Sequence, residues 1–326
     1  MPVISHRHPS LSSYPLWMAS RLVLKPLLTL WPINGPGLHA LRYIDAVVAL
    51  GPRPDGVVLE QMELANRPVE LAVPTGPSNR DSDAAVLYMH GGAFVAGGLA
   101  THRTVATHLS RRVGLPVYSL AYRQLPEAGV GTSVIDAVEA YAELVNDRGF
   151  RHVVVAGDSA GGFLAAKIVE AAAERGLRTP TALIGYSPLL DLDLADNPDR
   201  SSRSDAYLPK SKMKVLAPEF DRGPLPMSGV RRINDLPAEI FPPTLLFSAE
   251  NEMLEPDMVA LVEDLDAAGA EATLHSFSWQ VHAFPAFAGR HPESGEAIEL
   301  TAEFVRESIR AAKSDDSDPA VRGRAG

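Results

Sequence analysis

The segment that decides the fold of this chain is Val153-Val154-Val155-Ala156-Gly157-Asp158-Ser159-Ala160-Gly161-Gly162. Its apolar, β-branched half predicts a buried strand, and the residues from Phe163 to Val169 have helical character. A strand that turns sharply into a helix, with glycines around a central serine, is typical of the G-x-S-x-G nucleophile elbow. The small residues permit a strained turn that lifts the hydroxyl of Ser159 out of the sheet. A glycine-rich turn that binds phosphate is the alternative, and the pentapeptide alone leaves it open.

The composition limits the classes of protein to consider. The chain has 326 residues, 46% hydrophobic and 21% charged, which suits one large α/β domain or two smaller ones. The formal net charge is −10 and no long Lys/Arg cluster is present, so nucleic-acid binding is not expected. With no cysteine, the chain has no disulfide, no thiolate metal site and no cysteine nucleophile.

No stretch of the sequence predicts a membrane span. The apolar segment from Leu22 to Pro32 is too short and is interrupted by Lys25 and Pro26. The leader from His6 to Pro9 is weakly basic, and no small-residue cleavage site follows the apolar segment. We therefore expect a cytoplasmic protein without stable membrane insertion.

From residue 84 onward, strand and helix patterns alternate. This order predicts a mostly parallel central sheet with helices on both faces. Two strand-like runs, Val57–Leu64 and Val69–Val73, precede it and predict a hairpin linked through residues 65–68. The predicted strands are Ala84–Met89, Pro116–Ala121, His152–Ala156, Ala182–Tyr186, Thr244–Ser248 and Ala272–Trp279, and the predicted helices are Thr104–Val113, Ser133–Asn146, Gly161–Arg175, Pro256–Ala268 and Gly295–Ala311.

The remaining segments predict the domain organisation. Residues 51–193 and 242–312 form the expected α/β core, and 313–326 is expected to be a disordered tail. Residues 1–50 have loose helical spacing broken by prolines, and 194–241 are polar and irregular. We interpret these two as cap segments; for 1–50, a plain packed layer and an interfacial anchor are the alternatives.

Three groups of residues could assist Ser159. Gly91 and Gly92, directly after a strand, could offer backbone N–H groups to an oxyanion together with the N–H of Ala160, while His90 is expected to hold the loop by hydrogen bonding. His282 follows the sixth strand of the alternating region, at the sheet edge where α/β proteins bind ligands. The carboxylates that follow the strand Thr244–Ser248 are Glu250, Glu252, Glu255 and Asp257.

These motifs resemble the hormone-sensitive lipase family of α/β-hydrolases, in its bacterial esterase branch. His90–Phe94 matches the family's H-G-G-G/A-F, and 157–162 matches G-D-S-A-G-G. Residues 122–127 (Y-R-Q-L-P-E) resemble Y-R-L-A-P-E, and 282–284 (H-A-F) resemble H-G-F. The family's acid stands in a D-x-L pattern, which here matches Glu252-Met253-Leu254, with glutamate replacing aspartate.

The resemblance implies the α/β-hydrolase fold with a helical cap and a serine carboxylesterase acting on short- to medium-chain acyl esters. Ser159 would be the nucleophile, His282 the base and Glu252 the acid, with Gly91, Gly92 and Ala160 around the oxyanion. No cofactor or metal is expected, and the partner is a small-molecule ester; a homodimer is possible. The alternatives are an amidase or lactonase of the same fold, or a non-catalytic small-molecule receptor like the plant hormone receptors similar to this family.

Overall fold

A nine-stranded sheet runs through the protein, seen in a computed structural model that describes residues 2–52, 54–75, 83–198 and 200–317. The strand order is β1-β9-β8-β7-β6-β4-β5-β3-β2. All pairs are parallel except β3 with β5 and β2 with β3, which form an antiparallel edge. The strands are β1 Val3–His6, β2 Val57–Leu64, β3 Arg67–Pro74, β4 Ala84–Met89, β5 Val117–Leu120, β6 His152–Asp158, β7 Ala182–Tyr186, β8 Thr244–Ala249 and β9 Ala272–Phe277.

Helices cover both faces of this sheet. They are α1 Ser13–Ala19, α2 Lys25–Leu30, α3 Gly35–Val48, α4 Leu99–Val113, α5 Val130–Asn146, α6 Ala160–Arg175, α7 Lys210–Leu216, α8 Glu255–Ala267 and α9 Pro292–Ser317, with a π-helical turn, Ser20–Leu24, joining α1 to α2. Along β6 the side chains alternate between two hydrophobic cores: Val153 and Val155 join the core of α5, α6 and α8, while Val154 and Ala156 join that of α4 and α9. The predicted mostly parallel sheet with helices on both faces is confirmed.

The structure corrects several predicted boundaries. The hairpin turn is only Ala65-Asn66, both at positive φ, so β3 begins at Arg67. Helix α4 begins at Leu99, five residues before the predicted start. Helix α9 extends to Ser317, so 313–317 are helical rather than part of a disordered tail; Lys313 pairs with Asp83 and Asp316 with Arg151 on the protein's surface. Residues 318–326 of that predicted tail lie outside the described residues.

Residues 1–50 contain strand β1, helices α1–α3 and the π-helical turn, whereas 194–241 have little regular structure besides α7. Residues 194–241 contain α7 and four short 3₁₀ turns, Leu194–Asp196, Ala217–Glu219, Ile233–Asp235 and Ala238–Ile240. Buried Lys167 of α6 donates to the carbonyl oxygens of Ser228 and Val230, at 2.9 and 3.1 Å, and so fixes part of this segment on α6. No helix in the described ranges is long and apolar enough to cross a bilayer.

Candidate active site

Ser159 occupies a strained turn at the carboxyl end of β6. Its φ of 49° and ψ of −118° lie outside the conformations that a serine ordinarily adopts, and its N–H donates to the carbonyl oxygen of Tyr186 at 3.0 Å. The glycines on either side are sterically required. A Cβ on Gly157 would lie 2.4 Å from the Gly161 backbone, and one on Gly161 would lie 2.0 Å from the carbonyl oxygen of Met89. The sequence therefore builds the predicted elbow, with the serine between strand and helix.

His282 and Glu252 are brought together from two different loops. Glu252 lies three residues after β8, and His282 lies five residues after the neighbouring β9. Nδ1 of His282 is 2.7 Å from Oε2 of Glu252, and both side chains are buried. The N–H of Ala249 donates to the other oxygen, Oε1, at 3.1 Å, which holds the carboxylate in its loop. Nε2 of His282 is buried and makes no hydrogen bond to any described residue, Ser159 included.

The other three candidate carboxylates have different surroundings. Glu250 is exposed at the turn after β8. Glu255 accepts hydrogen bonds from the hydroxyls of Ser248 and Ser276. Asp257, at the start of α8, forms an ion pair with Arg200. Among these carboxylates, Glu252 is the one in contact with His282.

Opposing effects set the pKa values of the pair. Burial lowers the pKa of His282, but the hydrogen bond and charge of Glu252, aided by the charges of Asp205 and Asp158, raise it above the ordinary value. Burial raises the pKa of Glu252, and His282 opposes that rise. The imidazolium form of His282 is thus stabilised by three carboxylates.

Two residues near this pair were missed by the sequence analysis. Asp205 is a buried carboxylate whose oxygens accept the N–H groups of Met253, Tyr207 and Leu208 at 2.6–2.9 Å. Ser187 follows β7 and accepts the N–H of Ala283 at 3.0 Å, while its hydrogen bond to Glu252 lowers the pKa of that carboxyl. Ser187 directly follows a predicted strand, at the sheet edge where the site was expected, and this position could have identified it from the sequence.

The predicted oxyanion loop needs one correction. The N–H of Gly91 donates to Oδ1 of Asp158 at 2.9 Å, so the prediction that Gly91 faces an oxyanion is wrong: its donor is already used inside the protein. The N–H groups of Gly92, Ala93 and Ala160 donate to no acceptor among the described residues. Gly92 has φ of 120°, and a Cβ there would lie 2.0 Å from the carbonyl oxygen of Ala96, which explains the glycine.

His90 has the structural role that the sequence predicted. Its ring stacks on Tyr122 at 4.4 Å, and Nδ1 hydrogen bonds with the carbonyl oxygen of Gly91 at 2.8 Å. The hydroxyl of Tyr122 donates to the carbonyl oxygen of His90 at 2.7 Å. Burial lowers the pKa of His90 to about 4, so the ring is neutral at ordinary pH. The neutral ring of His90 thus stabilises the loop that follows it.

The sheet, the serine elbow after β6 and the buried His–carboxylate pair after neighbouring strands define an α/β-hydrolase. A family model described as alpha/beta hydrolase fold matches residues 86–286, and the chain belongs to this family. Within it, the chain belongs to the hormone-sensitive lipase family, as its relatives indicate. It is a carboxylic ester hydrolase.

The relatives cover most of the chain. The carboxylesterase/phospholipase LipF of Mycobacterium tuberculosis is 29% identical over 94% of this chain and 84% of its own length. A crystal structure of an esterase from the bacterial hormone-sensitive lipase family has a TM-score of 0.78 at 26% identity, covering 93% of this chain and all of the other. The crystal structure of EstE5 soaked with p-nitrophenyl butyrate has a TM-score of 0.78 at 28% identity, covering 92% of this chain and 99% of the other.

Proposed function

We propose that this enzyme is a serine carboxylesterase that hydrolyses short- to medium-chain acyl esters through an acyl-enzyme, with Ser159, His282 and Glu252 as its triad. One observation carries the proposal: Glu252 holds His282 by Nδ1 at 2.7 Å, and the opposite nitrogen, Nε2, is buried without a partner. An imidazole held in this way is a general base with one defined proton-accepting atom. The strained elbow at Ser159 supports the serine as the nucleophile.

In the proposed reaction, Ser159 Oγ attacks the ester carbonyl carbon while Nε2 of His282 takes the hydroxyl proton. The N–H groups of Gly92, Ala93 and Ala160 are suited to stabilise the oxyanion of the tetrahedral intermediate. His282 then gives the proton to the leaving alcohol, and water, activated by the same nitrogen, releases the acid from the acyl-enzyme. Glu252 keeps the ring in the correct tautomer and stabilises the imidazolium.

We further propose that residues 1–50 and 194–241 form the cap over the acyl pocket. The ring of Tyr207, from the second segment, lies 5.7 Å from that of His282, so this segment borders the reacting groups. EstE5 was soaked with p-nitrophenyl butyrate, and that relative supports a butyrate-sized acyl group as a substrate here. The cytoplasmic location and the homodimer stay predictions of the sequence.

A labelling experiment and a substrate panel test this proposal. A fluorophosphonate probe should label the enzyme at Ser159 and fail to label Ser159→Ala, whereas Ser119→Ala, which alters a buried hydroxyl without a described partner, should be labelled normally. With p-nitrophenyl esters from acetate to palmitate, we expect the highest kcat/KM at or below medium chain length. Label on another residue would overturn the triad, and faster hydrolysis of palmitate than of butyrate would overturn the chain-length assignment.

A further inference from the structure

The N-terminal helical segment has its apolar side turned toward solvent. Between residues 11 and 30, exposed large apolar side chains recur mostly at intervals of three and four residues, so from Tyr14 onward they lie on one side of the α1–α2 helical run, with Leu11 just before it. Leu22, Val23 and Leu30 are 64%, 67% and 81% exposed. None of the exposed residues in this described stretch is charged. We name this face the apolar row; its members are Leu11, Tyr14, Met18, Leu22, Val23, Leu27 and Leu30.

The side of the same helical run that faces the protein carries its charged residues and its buried serines. Buried Ser13 donates to Glu293 at 3.0 Å, and Arg21 and Lys25 donate to the carbonyl oxygen of Asp205 at 2.7 and 2.6 Å. An ordinary surface helix buries its apolar side and exposes its polar side. In this run Leu16 and Trp17 do pack against the core, but the apolar row on the other side stays exposed, so folding of the chain alone does not cover it.

Helix α3 also exposes apolar side chains, although its Leu38 and Leu41 pack into the core. Tyr43, Ile44 and Val47 are exposed, while the carboxylate of Asp45 points inward and accepts the N–H of Thr101 at 2.7 Å. Residues 1–50 contain four Arg or Lys and this single acid, in a chain whose net charge is −10. The apolar segment therefore has a net positive charge within an acidic protein.

A basic pocket of about 720 Å³ adjoins the apolar row. Pro26 and Leu30 belong to its wall, so the pocket and the row are continuous. The cations are held mainly by neutral groups: Lys25 and Lys210 donate to backbone carbonyl oxygens, and Arg203 has no side-chain partner among the described residues. Of the charged side chains in the wall, none is a carboxylate; they are Arg21, Lys25, Arg200, Arg203 and Lys210. Arg200 is paired with Asp257, outside the wall.

We propose that the apolar row and the basic pocket dock the enzyme on the surface of an anionic phospholipid membrane. The apolar row enters the boundary between headgroups and acyl chains, and the pocket takes a lipid phosphate. A second copy of the chain would match the apolar row, but it offers no anion for the pocket because the same surface is basic. The charge of the pocket therefore favours an anionic lipid surface. This docking goes beyond ester hydrolysis and does not depend on the triad.

Vesicle binding tests the docking without using activity. Full-length protein is sedimented with vesicles of phosphatidylcholine alone and with vesicles containing phosphatidylglycerol, at low and high salt. We expect binding to the anionic vesicles that weakens with salt. Leu22→Ser/Val23→Ser should reduce the affinity about tenfold or more, since two apolar side chains leave the interface. Arg203→Glu should reduce it about fivefold or more and remove most of the preference for phosphatidylglycerol.

Matched variants elsewhere on the surface serve as controls. Val58→Ser/Leu225→Ser changes two exposed apolar residues outside the row, and Arg310→Glu makes the same charge change on α9; neither should alter vesicle binding. Analytical ultracentrifugation gives the competing outcome. A dimer that Leu22→Ser/Val23→Ser dissociates, without vesicle binding, would assign the row to a second copy and overturn the proposal. Absence of vesicle binding in the wild type, or binding that neither variant weakens, would also overturn it.

Discussion

Oδ1 of Asp158 accepts the backbone N–H of Gly91 at 2.9 Å, which ties the residue before Ser159, the proposed nucleophile, to the start of the proposed oxyanion loop. The same oxygen accepts the hydroxyl of Tyr88 at 2.7 Å, and Nε2 of His102 lies 3.4 Å from Oδ2. Asp158 is buried, and these partners satisfy its charge. One carboxylate therefore fixes the elbow and the loop relative to each other, while the N–H groups of Gly92, Ala93 and Ala160 have no acceptor among the described residues.

Asp158→Ala should lower kcat about 10²-fold, because the loop that presents oxyanion donors loses its anchor and a displaced donor costs about as much as a deleted one. Asp158→Asn keeps an oxygen acceptor for Gly91 and Tyr88, so it should recover most of the activity. The measurement is kcat with p-nitrophenyl butyrate, on variants whose fold is checked by circular dichroism. A folded Asp158→Ala enzyme with wild-type kcat would show that the loop needs no such anchor.

Glu252→Gln should lower kcat by about 10²–10⁴, because His282 loses the carboxylate that fixes its tautomer and stabilises the imidazolium. Glu250→Gln is the matched control: it makes the same chemical change two residues away, on an exposed side chain, and should leave kcat unchanged. Steady-state kinetics with p-nitrophenyl butyrate distinguish the two variants.

Asp257→Asn separates a structural carboxylate from the proposed acid. It weakens the buried pair with Arg200, so the free energy of unfolding should fall by about 3 kcal/mol while kcat falls far less than in Glu252→Gln. Urea unfolding and kinetics on the same preparations test this. The reverse order of kcat losses, in folded variants, would transfer the acid role to Asp257.

The pH dependence of the reaction should report on the carboxylates around His282. The proposed base must be neutral, and although burial lowers the pKa of His282, Glu252, Asp205 and Asp158 raise it above its ordinary value. The acid limb of kcat/KM should therefore lie at higher pH than an ordinary imidazole would give. Asp205→Asn removes one negative charge that raises this pKa, so the limb should move to lower pH, whereas exposed Asp221→Asn should not move it. A limb that stays in place in Asp205→Asn would contradict the assigned influence of Asp205.

The sequence predicted best those elements whose pattern is local. Strands β4 and β7 have the predicted bounds, because each is an apolar run buried on both faces and ended by polar or glycine-containing turns. Glu252 contacts His282, and Glu252 is the carboxylate that the match of residues 252–254 to the family's D-x-L pattern had singled out. The serine elbow was equally predictable, because its glycines and its serine lie within one short stretch of sequence.

What the sequence could not predict depends on distant partners. Strand β1 was missed because Val-Ile-Ser-His is short and partly polar, and it is a strand by pairing with β9, about 270 residues away. Helix α4 begins early because Asp45, on a different helix, accepts the N–H of Thr101 in its first turn. The N–H of Gly91 is likewise used by a distant partner, because it donates to the carboxylate of Asp158. In each case a tertiary contact decides which backbone group is free.

The buried pair of Lys167 and Glu170 offers a test of how the 194–241 segment is held on the core. Glu170 pairs with Lys167 and accepts the N–H of Val230 at 2.8 Å, while Lys167 donates to the carbonyl oxygens of Ser228 and Val230. Glu170→Gln leaves the buried ammonium without its counter-charge, so the free energy of unfolding should fall by about 3–5 kcal/mol. Exposed Glu174→Gln, on the same helix, should change it by less than about 0.5 kcal/mol. Urea unfolding followed by tryptophan fluorescence measures the free energy of unfolding of both variants. Equal values would mean that the backbone carbonyl oxygens alone satisfy the ammonium group of Lys167.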